Sequence, residues 1–215
     1  MDAPFNLQET DKLLSTTRAV RKRLDLVRPV EREVLLDCIR LSQQAPTGSN
    51  TQLWRWVVVM DPDKRRAIAE IYARGVEYLT EAKQGLAEGD HQTRRVYESA
   101  DYLVEHMHEV PALVIPCVIG RPPEPQQHVV TASIYGSVLP AVWSFQLALR
   151  SRGLGSTFTT LHLGWEQEVA EVLNIPAEVM QVALLPVAYT LGTDFKVAER
   201  QPPEEITHWD AWESE

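Results

Sequence analysis

The 215-residue sequence contains only two cysteines, Cys38 and Cys117. Both lie in apolar surroundings and far apart along the chain, and we interpret them as two free buried thiols. His106 and His108 stand two residues apart, which on a helix points them to different faces, and no cysteine or carboxylate cluster completes a zinc site around them. The sequence therefore predicts no metal centre.

Positive charge is also scarce, since 21 lysines and arginines face 30 acidic residues and the formal net charge is -9. This balance argues against a nucleic-acid partner, which requires a broad cationic surface. The first twenty residues lack the apolar core of a secretory signal, and we find no run of about 18 to 20 apolar residues that would span a bilayer. We expect a cytoplasmic protein with no membrane partner, in which any anion binds at a local basic pocket.

The familiar motifs of catalysis and nucleotide binding are missing. There is no Gly-x-Ser-x-Gly elbow and no lysine-containing phosphate loop. Gly153-Leu154-Gly155 lacks the third glycine of a dinucleotide fingerprint and follows a predicted helix instead of a strand. We therefore expect neither a catalytic side chain nor a separate dinucleotide-binding domain.

Apolar periodicity predicts alternating helices and strands in a single domain spanning 1–215. The predicted helices cover residues 30–44, 62–79, 97–108, 132–152 and 166–173, and the predicted buried strands cover 54–60, 110–120, 156–161 and 180–189. Gly153 stands where a left-handed residue would end the longest helix. Residues 80–95 are charged and aperiodic, which favours a mobile lid or an ordinary solvated loop. The tail from about 193 to 215 is predicted to be an extended arm that docks its tryptophans elsewhere.

Two segments could bind a ligand. Arg18, Arg21, Lys22 and Arg23 form a dense basic cluster, which suits a phosphate group or is simply a solvated positive helix end. Residues 45–50 supply small hydroxyl and amide side chains that could bond the polar edges of a flat ligand, or merely stop a helix. His162 could line a pocket or be a structural histidine.

Four stretches in this order resemble the nitroreductase family of FMN-dependent oxidoreductases. They are TTRAVRKRLD (16–25), APTGSNTQLW (45–54), LALRSRGLGSTFTTLHL (147–163) and LLPVAYTLG (184–192). The Thr-Thr-Arg-x-Val-Arg opening and a His-Trp-Asp ending are most similar to an actinobacterial-type branch of that family. The resemblance implies an α+β sandwich, with a central, mostly antiparallel sheet flanked by helices. It also implies an intertwined homodimer with a swapped C-terminal arm and FMN at the subunit interface.

The resemblance also implies the site residues. By matched position, the expected FMN-binding residues are Arg18, Ala19, Arg21, Pro46, Thr47, Asn50, Thr159, Thr160 and Arg200. The arginines would hold the phosphate and ribityl chain, residues 46–50 would contact the flavin, and the two threonines would lie along its ring. Ala19 replaces a serine of the family pattern, so main-chain amides must serve that part of the phosphate site.

The implied activity is a ping-pong, two-electron reduction of nitroaromatic or quinone-type acceptors, with NAD(P)H as electron donor. The flavin carries the chemistry, so no catalytic side chain is required. Two alternatives stay open. One is the same fold with different chemistry, namely dehalogenation, flavin fragmentation or enone reduction, and residues 80–95 would decide it by selecting the acceptor. The other is a non-catalytic flavin-binding protein.

Overall fold

The computed structural model describes residues 4–86 and 90–212, which contain helices and one five-stranded sheet. The helices are α1 (Leu7–Thr16), α2 (Arg32–Ser42), α3 (Pro62–Ala73), α4 (Val76–Gln84), α5 (His91–His106), α6 (His128–Ser151) and α7 (Glu166–Leu173). The strands are β1 (Trp54–Val59), β2 (Ala112–Ile119), β3 (Leu154–Ser156), β4 (Val179–Gln181) and β5 (Leu185–Tyr189). The larger of two compact units is Arg18–Thr193, and the smaller joins the N-terminal segment up to Thr17 with the C-terminal segment from Asp194.

The sheet has the order β1-β2-β5-β3, and β4 pairs with β2 beyond the end of β5. All pairings are antiparallel, so the expected α+β fold with a central antiparallel sheet is confirmed. Strand β2 lies in the middle and is buried along almost its whole length, as its continuous apolar run predicts. Strand β1 matches its predicted range but lies at an edge, where Arg55 and Val58 are exposed, so it is not the fully buried strand expected.

The strand predicted at 180–189 is split into β4 and β5. Between them, the Val182 amide donates to the carbonyl of Pro116 at 2.9 Å, and Leu184 pairs with Thr159 across an isolated bridge. The strand predicted at 156–161 is wrong for all but its first residue: β3 ends at Ser156, Thr159 forms only an isolated bridge, and residues 161–165 wind into a 3₁₀ helix. Periodicity alone could not place the break between β4 and β5, since every residue from 180 to 188 is buried.

The helix predicted to run to Leu79 is two helices, α3 and α4, which meet at Gly75. A Cβ at Gly75 would lie 2.8 Å from the Cβ of Leu161, so the glycine lets this junction pack closely. Helix α4 continues to Gln84, and α5 begins at His91. The prediction of an irregular segment over 80–95 is therefore wrong for these helical residues. Residues 87–89 of that segment lie outside the described residues. These helices are joined through Lys83, whose Nζ lies 2.6 Å from a carboxylate oxygen of Asp101. A polar contact of this kind leaves no apolar period in the sequence.

Helix α6 is the central helix of the core. Its buried residues Val138, Val142, Phe145 and Leu149 pack toward the sheet and α2. By length and composition the helix could also span a membrane, contrary to the expectation that the sequence holds no such run, and 33% of its apolar window is buried inside the protein. The helix ends as predicted, with Gly153 at φ +77°.

The Gly153-Leu154-Gly155 motif serves packing in this fold. A Cβ on Gly155 would lie 2.7 Å from Cγ2 of Thr190 and 2.9 Å from Cγ2 of Val20, so β3 can approach both neighbours only with glycine at this position. The close approach brings the basic N-terminal segment against β3. This local fit accounts for the second glycine without any nucleotide.

We predict that Gly155→Ala lowers the free energy of unfolding by about 1–3 kcal/mol, because the added methyl overpacks the contact with Thr190 and Val20. Gly136→Ala is the matched control, since Gly136 lies inside α6 with open space around its Cβ position. The control should be neutral or slightly stabilising. Urea denaturation of both variants measures the difference, and equal midpoints would contradict the packing role of Gly155.

Candidate functional site

The basic segment at the start of the larger unit lies beside strand β3. The amide of Val20 donates to the carbonyl of Ser156 at 2.9 Å, and the side chain of Val20 is buried. This anchor fixes the residues on either side of it, with Arg18 half-buried and Ala19 exposed. The segment is therefore held on the protein and is not a loose, solvated helix end.

Arg21 is half-buried, and its guanidinium donates to the hydroxyl of Ser99 on α5 at 3.3 Å. Burial lowers the pKa of Arg21, and the nearby phenol of Tyr72 opposes that shift. Within residues 4–86 and 90–212, neither Arg18 nor Arg21 forms an ion pair with a carboxylate. A partly desolvated cation without a counter-charge is a place where an anion binds favourably.

Tyr72 contacts the threonine segment and lies within the electrostatic influence of Arg21. Its side chain is 2% exposed, and its hydroxyl lies 2.7 Å from Oγ1 of Thr159. Burial raises the pKa of Tyr72, whereas the Thr159 hydrogen bond and Arg21 lower it. Sequence reasoning missed this residue, because a tyrosine within a predicted helix carries no motif that distinguishes it from core.

The two predicted threonines have different surroundings. Thr159 exchanges both main-chain hydrogen bonds with Leu184, at 3.1 and 2.8 Å, so its amide is not available to a ligand. Thr160 is exposed, and its side chain makes no hydrogen bond within the described part of the chain. Thr160 thus presents free donors, while Thr159 can offer only its hydroxyl.

The second predicted segment, residues 46–50, is held against α6. The amide of Gly48 donates to Oγ of Ser137 at 2.9 Å, and the Thr47 hydroxyl accepts from the amide of Gln52 at 3.3 Å. Ser49 and Asn50 have φ values of +51° and +54°, in the left-handed region that non-glycine residues rarely adopt.

The 46–50 segment lies beside a cavity that the arginine cluster does not line. Residues 48, 49 and 51 line a cavity of about 190 Å³ together with Leu53, Trp54, Val118, Ser133, Ile134, Ser137 and Val138. No predicted residue of the arginine and threonine cluster lines that cavity. Pro46 and Asn50 are exposed, and the Asn50 side-chain oxygen accepts from Gln52 at 2.9 Å.

Arg200 belongs to the smaller unit, where it is exposed and donates to the carbonyl of its neighbour Glu199 at 2.8 Å. A cavity of about 460 Å³ lies instead between α2, β1, the start of α3 and the end of α7. Its lining is mainly aliphatic, so it suits apolar packing better than binding of a phosphate.

His162 lies in the protein interior and not in a ligand pocket. Its side chain is fully buried, and neither ring nitrogen has a hydrogen-bond partner within the described residues. Burial lowers the pKa of His162 to about 4, an effect that the nearby Glu166 carboxylate opposes. The ring is therefore neutral at physiological pH and contributes to packing.

Comparison with known proteins gives the family of the chain. A family model described as "Nitroreductase family" matches residues 14–189. An NADH dehydrogenase of Thermus thermophilus is 26% identical over 220 residues, which cover 94% of this chain and 100% of the relative. Iodotyrosine deiodinase 1 of Rattus norvegicus is 28% identical over 193 residues, covering 85% of this chain. The matched region spans only 62% of the rat protein.

Among solved structures, the fold is similar to that of an oxidized iodotyrosine deiodinase bound to FMN and 3-iodo-L-tyrosine. The TM-score is 0.69 at 24% identity, and the similarity covers 94% of this chain and 99% of the other. This similarity extends over almost the whole chain and supports the same fold in both proteins.

We predict that His162 makes the protein acid-sensitive. Its folded pKa of about 4 lies below the ordinary value of 6.5, so the unfolded state binds the proton more readily. The free energy of unfolding should therefore fall as the pH drops from about 6.5 to about 4, by about 3 kcal/mol from this group. Urea denaturation across that range should show a smaller slope for His162→Leu and an unchanged slope for His91→Gln, an exposed control. An unchanged slope in His162→Leu would refute the assignment.

Proposed function

The chain belongs to the nitroreductase family, and from this we propose that it is an FMN-dependent oxidoreductase that uses NAD(P)H to reduce nitroaromatic or quinone-type acceptors. The family match over residues 14–189, the NADH dehydrogenase relative and the FMN-bound structural neighbour support this proposal. Membership of the branch with the Thr-Thr-Arg-x-Val-Arg opening stays a prediction.

The observation that carries the proposal is the unpaired charge of Arg21. In a chain of net charge -9, this half-buried guanidinium has a neutral hydroxyl, that of Ser99, as its hydrogen-bond partner. A phosphate group would supply the missing counter-charge, and Arg18 is close in sequence on the same anchored segment. The donor set therefore fits the phosphate of FMN, and we propose Arg200 as a third cation.

The remaining predicted residues fit a flat, polar ring. The Thr159 hydroxyl and the Thr160 donors would orient the flavin, and the 46–50 segment would contact its edges. When bound, the flavin supplies two-electron redox chemistry. The chain contributes binding, orientation and hydrogen-bond donors that stabilise negative charge, and no nucleophilic side chain is needed.

Because the arginine cluster does not line the cavity beside the 46–50 segment, we propose that a homodimer completes the site. Helix α6 exposes an apolar stripe at four-residue spacing, made of Tyr135, Leu139 and Trp143, which suits packing against a second copy. Strand β1 has β2 as its one partner strand in the described chain, and its open edge borders the 460 Å³ cavity.

We propose that the C-terminal arm of one subunit packs on the surface of the other subunit. Trp209 and Trp212 of the smaller unit are 80% and 82% exposed, an unusual state for tryptophan unless a partner covers it. A swapped arm would bury these rings and bring Arg200 to the partner's site. These surfaces support the homodimer that the family resemblance implies.

The function is tested by anaerobic titration of the FMN-loaded protein with NADPH and NADH, followed by turnover with a panel of acceptors. We expect the flavin absorbance to bleach and nitroaromatics or quinones to restore it. The panel includes 3-iodotyrosine, a halophenol and an enone, because the deiodinase relatives make dehalogenation the competing chemistry. Bound FMN that neither NADPH nor NADH bleaches would favour a non-catalytic flavin protein, and failure to bind FMN would end the proposal.

We predict that Arg21→Ala and Arg200→Ala each weaken FMN binding by about 1.5–3 kcal/mol, because each removes a charge-assisted contact to the phosphate. Quenching of FMN fluorescence measures the dissociation constant. Arg66→Ala is the control, since Arg66 is an exposed arginine of α3, and it should bind FMN normally. Unchanged affinity in both test variants would show that the phosphate site lies elsewhere.

We predict that Leu139→Glu shifts the protein from dimer to monomer, since burying a carboxylate at the centre of the α6 stripe has a high free-energy cost. Analytical ultracentrifugation reports the mass, and FMN affinity should fall with dimer content. Val27→Glu places the same charge at a 91% exposed position outside the stripe and should leave the dimer intact. A monomeric wild-type protein that binds FMN fully would contradict the shared site.

A further inference from the structure

Both main-chain polar groups of Thr159 are hydrogen-bonded within the protein, so its side-chain hydroxyl is the group that can bond a ligand. Its amide donates to the carbonyl of Leu184 at 3.1 Å, and its carbonyl accepts from the amide of Leu184 at 2.8 Å. The reciprocal bridge fixes the backbone at the end of the threonine segment. The direction of the Thr159 O–H bond is then set by whatever contacts Oγ1.

The group that contacts Oγ1 is the hydroxyl of Tyr72, at 2.7 Å. Tyr72 is 2% exposed, and this is the one hydrogen bond of its side chain among the described residues. If the phenol accepted this bond, its own proton would be left buried without an acceptor, which is costly. Thr159 is only partly buried, so its proton can still reach solvent or a ligand. The favourable direction therefore runs from Tyr72 to Thr159.

The Arg21 cation favours the same direction. It lies near enough to the phenol for each group to affect the pKa of the other. A nearby positive charge stabilises the orientation in which a phenol turns its oxygen toward the cation and its proton away. Burial raises the pKa of Tyr72, so the phenol keeps the proton that it donates.

We propose that Tyr72 is a positioning residue, whose buried hydroxyl donates to Thr159 Oγ1 and thereby directs the Thr159 proton toward the bound flavin. The inference rests on the proposed function, since the acceptor of that proton belongs to FMN. It places Tyr72 between the electrostatic influence of Arg21, the proposed phosphate ligand, and the hydroxyl of Thr159, the proposed ring ligand.

This arrangement acts on the reduced cofactor more than on the oxidised one. A hydroxyl donor aimed at the ring stabilises the negative charge present after reduction, and contributes less while the ring is neutral. Loss of Tyr72's hydroxyl should therefore weaken binding of reduced FMN and leave the affinity for oxidised FMN almost unchanged. A purely structural role would weaken binding of both forms together.

The experiment measures the midpoint potential of the FMN-loaded protein against a reference dye, with the dissociation constant of oxidised FMN determined in parallel. Tyr72→Phe should lower the equilibrium ratio of reduced to oxidised flavin about tenfold, which for a two-electron couple corresponds to about 30 mV. Thr159→Val should produce a similar fall, and the double variant should fall no further than the larger single effect. Thr159→Ser keeps the hydroxyl and should stay near the wild-type potential.

Tyr78→Phe is the matched control, because Tyr78 is a largely exposed tyrosine of α4, and it should leave the potential unchanged. Wild-type protein that binds no FMN would defeat the proposed function itself. If FMN binds but Tyr72→Phe keeps the wild-type potential, or if its effect simply adds to that of Thr159→Val, the positioning role of Tyr72 is wrong while the proposed function stands. Equal losses of affinity for both redox forms would likewise assign Tyr72 a structural role.

Discussion

The candidate site depends on one electrostatic constraint, which is a half-buried arginine without a carboxylate. Arg21 loses part of its hydration in the fold and donates a hydrogen bond to the neutral hydroxyl of Ser99, in a chain whose overall charge is negative. Such a cation is unfavourable until an anion binds beside it. The amide bond of Val20 to Ser156 and the missing side chain of Gly155 keep it in place, so packing maintains the unpaired charge.

A second constraint follows from topology. The arginine and threonine cluster surrounds the ends of β3 and α3, whereas the 46–50 segment is fastened to Ser137 on α6. One chain thus carries two candidate binding segments on different elements. The apolar stripe of α6 and the open edge of β1 offer places where a second copy could bring complementary halves together. Under the proposed function, oligomerisation and cofactor binding would be two aspects of the same assembly.

Residues that match a family motif can be predicted from sequence, whereas the residues that contact them in the fold cannot. Arg21 and Thr159 stand in recognisable stretches, but Tyr72 lies in an ordinary amphipathic helix and Ser99 in a region that the sequence predicts to be near the start of a plain helix. Both contact the predicted residues across more than 75 positions of sequence. A hydrogen bond over such a separation leaves no local periodicity or spacing, so motif reading has no means to detect it.

The sequence by itself determined the elements with strong apolar periodicity or a clear helix-stop residue, among them β2, α7 and the left-handed end of α6 at Gly153. It also determined the family membership. It did not place the break between β4 and β5, because that run is uniformly buried, nor the helices on either side of residue 85, because a polar contact between Lys83 and Asp101 joins them. Only the tertiary structure decided which side chains meet. Local order depends on neighbours along the chain, but the charge balance around Arg21 and the partner of Thr159 depend on residues that folding alone brings together.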